Sequence, residues 1–229
     1  MIVSSLVTHV TQDRTVRLVP TARKREPVLS KLVPDGELDA LAEIEGATSG
    51  RLLAEERGTD KLDRRELVFG ISHAKFINAA FSYYLPKALN RFNGPGRGAW
   101  YAALALETCF AEVTFHMNRE LAAVSDFNAT IDYSEVFASF VGDFVDLRDV
   151  NPAPECLHPD PEKSYATGNR LADEVRAQGQ YGIIWRSVRH PEGTCLVALT
   201  PHAVQSVAQG QVIRFTWTGT PDPQIRPMA

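Results

Sequence analysis

The 229-residue chain lacks most of the features that announce common functional classes. Its three cysteines, Cys109, Cys156 and Cys195, are odd in number and far apart, which excludes a disulfide framework and suits a reducing compartment. No stretch approaches the ~18 apolar residues of a membrane span. The opening MIVSSLVTHVTQDRTVR has neither the charged start nor the continuous apolar run of a secretory signal, so a cytoplasmic location is expected. Positive charge is not in excess: 24 Lys plus Arg face 28 Asp plus Glu, for a net charge of −4. No overall field exists to hold a phosphate backbone, and direct nucleic-acid binding is not expected. The six histidines are scattered, and Cys156-x-His158 with Asp160 is too sparse a ligand set, so no metal is expected. No G-x-S-x-G elbow points to a Ser-His-Asp hydrolase. The glycines of GPGRG precede a strand and have the wrong third spacing for a dinucleotide fingerprint, which excludes a Rossmann site.

What is present is the composition of a globular protein, 44% apolar and 23% charged, with 15 Gly and 14 Pro dispersed along a length that fits one domain. Weak alternation from Met1 to about Arg25 predicts an extended arm or edge strand. Between Asp35 and Arg57, Leu38, Leu41 and Ile44 recur at helical spacing, Gly46 interrupts, and Leu52 and Leu53 resume, which predicts two short helices. Phe76, Ile77, Ala80, Phe81 and Tyr84 mark a buried helix or collapsed turn ending at Pro86.

The densest segment is RFNGPGRGAWYAALALETCFAEVTFHMNR, residues 91–119. GPGRG predicts a loop, Ala99 to Leu104 a short buried strand, and Leu106, Phe110, Val113 and Met117 one apolar helical stripe. Thr108, Glu112 and His116 share the adjacent face at four-residue spacing. Beyond it, ATIDYSEVFASFVGDFVDLRD predicts one or two strands bounded by Gly142 and the loop NPAPECLHPDPEK. Ser164 is the expected cap of a helix through Leu171, Ala172 and Val175, stopped by Gly179. The tail predicts three strands, YGIIWRSVR, TCLVALT and VIRFTWT, with a helical turn at PHAVQSV. Trp100, Trp185 and Trp217 lie in strand-like runs and are expected to pack in the core. The sum is an α+β single domain, with residues 1–70 an N-terminal helical and extended region packed on the core.

Singly, Arg91, Tyr101 and Glu112 look like a surface ion-pair partner, a packed strand residue and a solvated helix residue. Together, RFNGPGRGAWYAALALETCFAEV resembles the core of the RES-domain toxins: Arg91 in an R-F-N-like segment, Tyr101 in a short strand, and Glu112 in the following helix, ten and eleven residues apart. A second block, QGQYGIIWRSVRHPEGTCLVAL, resembles that family's G-I-x-x-x-S-V-R segment and places Ser187 at its Ser. The similarity runs from about Ala79 to Leu199, and residues 71–229 would form the RES domain.

The resemblance implies a split, mostly antiparallel ADP-ribosyltransferase-like sheet flanked by helices, with NAD+ as substrate rather than cofactor. It implies the toxin of a bacterial type II toxin–antitoxin system, held by a cognate Xre-type helix-turn-helix antitoxin, with a homodimer as a further assembly. The toxin would arrest growth by cleaving the nicotinamide–ribose bond, through hydrolysis or phosphorolysis. ADP-ribosyl transfer to a protein, or a non-catalytic NAD-binding module, are the alternatives. Glu112 would stabilise positive charge at the anomeric carbon. Arg91 would clamp the diphosphate. Tyr101 would stack on the nicotinamide with its hydroxyl free to orient a ribose, and Ser187 would bond the ribose or position Glu112. Arg97 and Arg189 are secondary phosphate candidates, with surface placement the plainer expectation for both.

Overall fold

The computed structural model describes residues 3–21, 61–84 and 89–228. The two helices expected between Asp35 and Arg57 lie outside them. The described residues form three α-helices and seven strands: β1 (Val7–Pro20), α1 (Ala74–Ser82), β2 (Trp100–Ala103), α2 (Leu106–Ala123), β3 (Asn128–Asp146), α3 (Pro161–Ala177), β4 (Gly182–Arg186), β5 (Thr194–Ala198), β6 (Gln205–Thr218) and β7 (Gln224–Met228). All seven strands join one sheet in the order β1-β2-β5-β4-β3-β6-β7, antiparallel except for β3 beside β4. The architecture is α+β. No described helix is long and apolar enough to cross a membrane.

The first strand departs from expectation. It is no edge: β1 pairs with β3 from Val7↔Val145 to Pro20↔Tyr133 and meets β2 at Val16↔Ala103, so it closes β1, β2, β5, β4 and β3 into a ring. Its alternation is weak because both edges and parts of both faces are covered. Gly142 likewise does not bound a strand. It lies inside the single long β3 at φ 143°, where a Cβ would fall 2.2 Å from the Tyr181 ring. The strand β7 carries too little apolar pattern to have been read.

The central strands are buried on both faces. Ile184, Leu196 and Ala198 pack with Trp100, Phe140 and Phe144 beneath Ile77 and Phe81 of α1. Ile183, Trp185, Val197 and Leu199 face Ala172 and Val175 of α3 together with Phe92. Such two-sided burial explains why YGIIWRSVR and TCLVALT read as continuous apolar runs rather than alternating ones. The expected stripe of α2, Leu106, Phe110, Val113 and Met117, packs on Tyr133, Ile213, Phe215 and Trp217 of β3 and β6. All three tryptophans are buried. The helix α3 starts earlier than expected, because Asp160 rather than Ser164 is its cap, accepting from the Glu162 amide. Ser164 sits inside the first turns and bonds back to the Asp160 carbonyl at 2.9 Å. Gly179, at φ 78°, does end it, and the PHAVQSV turn is a 3₁₀ turn over Pro201–Ala203.

Candidate active site

The loop, strand and helix spanning residues 91–123 place the chemistry at one point. A short β2 delivers Tyr101 to the sheet, and α2 leaves its end so that its apolar stripe covers β3 and β6 while Glu112 turns toward the ring's opening. There a cavity of about 210 Å³ is lined by Arg17 of β1, Arg91, Tyr101, Cys109 and Glu112, Trp185 of β4 and Cys195 of β5.

Glu112 is held rather than solvated. The Ser187 hydroxyl donates to its Oε1 at 2.7 Å. The same oxygen of Ser187 accepts from the Arg189 and His190 amides at 3.1 and 3.0 Å, so its only proton points at the carboxylate. The Cys195 thiol approaches Glu112 Oε1 at 3.7 Å. Ser187 is itself buried, 3% exposed, and comes from the turn between β4 and β5. That turn is latched to α2: Thr108 Oγ1 lies 3.0 Å from His190 Nδ1, and a Cβ on Gly193 would fall 2.1 Å from the same Thr108 oxygen. His116, one turn beyond Glu112, is exposed and stacks edge-on against Phe115.

Arg91 is half-buried and anchored by one nitrogen. Its Nη1 donates to the carbonyls of Cys156 and His158 at 2.6 and 3.3 Å, while its carbon lies 5.6 Å from the centre of the Tyr165 ring. The Cys156-x-His158 segment thus contributes backbone carbonyls that position an arginine.

Two expectations are corrected. The hydroxyl of Tyr101 is not free, because it donates to Asn93 Oδ1 and accepts from the Phe92 amide, both at 2.9 Å. Burial raises its pKa above the usual phenol range. The ring remains a wall of the cavity. Arg97 does not reach the cavity and is not on the surface. At 5% exposure it donates to both oxygens of Glu66 and to the carbonyls of Lys61 and Leu199. The GPGRG loop is accordingly structural: Gly98 presses on α1, where a Cβ would stand 2.1 Å from the Ala80 carbonyl.

Sequence reasoning missed Arg17, which lies over the Trp100 ring at 4.9 Å, and the second duty of Trp185, which packs edge-on against Phe92 and also lines the cavity. The legible signal for Arg17 was a single cation inside the apolar run VRLV. Burial disfavours the thiolate form of the cavity thiols. Burial pushes Cys109 up to about 12 and Cys195 well above its ordinary value, so both stay protonated at neutral pH. What remains is one tethered carboxylate beside an aromatic wall and two guanidiniums. That set can bind an anionic ligand and stabilise a cation generated next to Glu112.

Comparison with known proteins gives the family. The family model described as RES domain matches residues 67–218, more than half of the chain, and spans Arg91, Tyr101, Glu112 and Ser187. A protein of Sinorhizobium fredii (strain NBRC 101917 / NGR234), bearing the name uncharacterized protein y4oC, is 24% identical over 213 residues. The alignment covers 91% of this chain and 85% of that protein.

Proposed function

Because the chain belongs to the RES-domain family, we propose that its cleft cleaves the nicotinamide–ribose bond of NAD+. The observation that carries the reading is the Glu112 carboxylate, held at 2.7 Å by Ser187 on the wall of a cavity with two arginines. Heterolysis sends the bonding electron pair to the pyridinium nitrogen, so nicotinamide leaves neutral without a general acid. This accords with Glu112 being the one carboxylate among the described residues of the cavity wall. Positive charge left at the anomeric carbon is stabilised by Glu112, as in glycoside hydrolysis. An acceptor oxygen then bonds to that carbon and loses its proton. Water gives ADP-ribose, and inorganic phosphate gives its 1-phosphate.

The cavity of about 210 Å³ is smaller than the ~300–1,000 Å³ of sites that enclose a drug-sized ligand. It suits the nicotinamide–ribose end, with Tyr101 and Trp185 as apolar walls. Arg91 stands where the diphosphate leaves the cavity. Arg17, held on Trp100, adds positive potential. Family membership supports a toxin whose NAD+ consumption arrests growth in the cytoplasm and is relieved by an Xre-type antitoxin.

The test is nicotinamide release from NAD+ by the purified chain, with and without phosphate, beside Glu112→Ala. Release that needs Glu112 supports the reading, and its phosphate dependence assigns the acceptor. Tight NAD+ binding by a folded wild-type chain without release under either condition refutes cleavage to water or phosphate.

A further inference from the structure

We propose that Arg189 and Arg91 form a two-guanidinium clamp for a diphosphate, built by the loop before α3, and that this clamp makes the site select a dinucleotide over a mononucleotide. The inference rests on the reading of the cleft as an NAD+ site and adds what part of the substrate decides recognition. The two side chains come from distant parts of the chain, yet one loop holds both. Arg91 Nη1 donates to the Cys156 and His158 carbonyls, and Arg189 Nη2 donates to the Pro159 carbonyl at 2.5 Å. His158 and Pro159 are neighbours in the chain, so one short stretch of loop anchors both guanidiniums, and Arg189 feels the charge of Arg91.

Each is also backed by an aromatic face. The Arg189 carbon lies 3.4 Å from the centre of the Phe115 ring, and Arg91 lies over Tyr165. Among the described residues each guanidinium spends one terminal nitrogen on the loop, which leaves the rest of its planar fork for a ligand. Two like charges held this way repel. Burial and the nearby Arg91 and Arg119 draw the pKa of Arg189 down, with Glu112 opposing them. An anion between the forks reverses that cost, and a diphosphate offers one negative charge to each.

The spacing to the reacting end is set as well. The Arg189 amide bonds Ser187 Oγ, which in turn bonds Glu112, so the clamp and the carboxylate share one rigid turn. Arg91 lines the cavity, and Arg189 is not among its described lining residues.

The experiment compares wild type, Arg189→Ala, Arg189→Lys and Phe115→Leu in two assays. Calorimetry with ADP reports the diphosphate contact without catalysis. Nicotinamide release from NAD+ and from nicotinamide mononucleotide reports selectivity. Arg189→Ala should weaken ADP binding and raise KM for NAD+ by about 10- to 100-fold, the range of a lost charge-assisted bond. The mononucleotide reaction, whose substrate carries one phosphate rather than two, should lose less than the NAD+ reaction. Lysine should restore only part, because it lacks the fork, and Phe115→Leu should give a smaller loss of the same kind. The proposal is overturned if ADP does not bind the wild type, if Arg189→Ala binds ADP as wild type does, or if both substrates lose turnover by the same factor. If wild type releases nicotinamide from neither substrate, the cleavage reading fails while the ADP arm still decides the clamp.

Discussion

Replacing Ser187 by alanine tests the central geometry. The hydroxyl donates to a carboxylate at 2.7 Å from a position 3% exposed, and it accepts from two backbone amides. A hydrogen bond to a charged group contributes about 1.5–3 kcal/mol, and each amide left without a partner costs about 1 kcal/mol more where water cannot reach it. Some relaxation is expected, so the variant should lose about 2–4 kcal/mol. For a chain of this length that lowers Tm by roughly 5–15 °C. If the bond also aims Glu112, kcat for nicotinamide release should fall about 10- to 100-fold, at about 1.4 kcal/mol per decade, with KM little changed.

The decisive assay is a double-mutant cycle in unfolding free energy with Glu112→Ala. A residue acting through Glu112 should show a coupling of about 1.5–3 kcal/mol, because Ser187→Ala loses the carboxylate bond only where the carboxylate is present. Coupling near zero, or an unchanged kcat in folded Ser187→Ala, would refute the claim that Ser187 positions the carboxylate. Ser187→Thr, which keeps the hydroxyl, should restore part of the rate.

Three further outcomes follow from particular contacts. Tyr101→Phe removes bonds to Asn93 and the Phe92 amide but keeps the ring in the cavity, so stability should drop by about 1–2 kcal/mol while NAD+ turnover stays near wild type. A large kcat loss at unchanged stability would show that the hydroxyl meets the substrate instead. Gly168→Ala puts a Cβ 2.0 Å from the Arg91 carbonyl, so the segment carrying Arg91 must shift; NAD+ binding should weaken with stability, measurable by calorimetry and thermal unfolding. The Glu66 carboxyl, which burial pushes up but the Arg97 bonds pull down further, is held below its ordinary value. Its folded pKa therefore lies below the unfolded one, near 4.3. The stabilisation is present above that pH and is lost as pH falls through the folded value. Urea unfolding from pH 6 to 3 should show wild type losing stability more steeply than Glu66→Gln.

The loop, strand and helix of residues 91–123 were legible because side-chain direction along a strand or helix follows from local backbone geometry, so Leu106, Phe110, Val113 and Met117 had to share a stripe wherever the helix docked. The tryptophans were legible for the same reason, and the order of Arg91, Tyr101 and Glu112 was visible as spacing. The placement of Ser187 against Glu112, 75 residues away, was not derivable from periodicity. It depends on β5 pairing with β2 on one side and β4 on the other, which brings the β4–β5 turn over α2.

Arg97 and Arg189 show the same limit from the other direction. Both are arginines beside turn-forming residues, and nothing local separates them. Tertiary contacts bury one against Glu66 and stack the other on Phe115. Sequence alone determined which residues share a face and, apart from β7 and the bounds of β3 and α3, where most strands, helices and turns lie, because those follow from neighbours in the chain. Only the tertiary structure decided the closure of the sheet by β1, the entry of Arg17 into the cavity and the occupied hydroxyl of Tyr101. Each of these depends on strand register and loop closure between residues far apart, where a one-residue slip reverses every side chain.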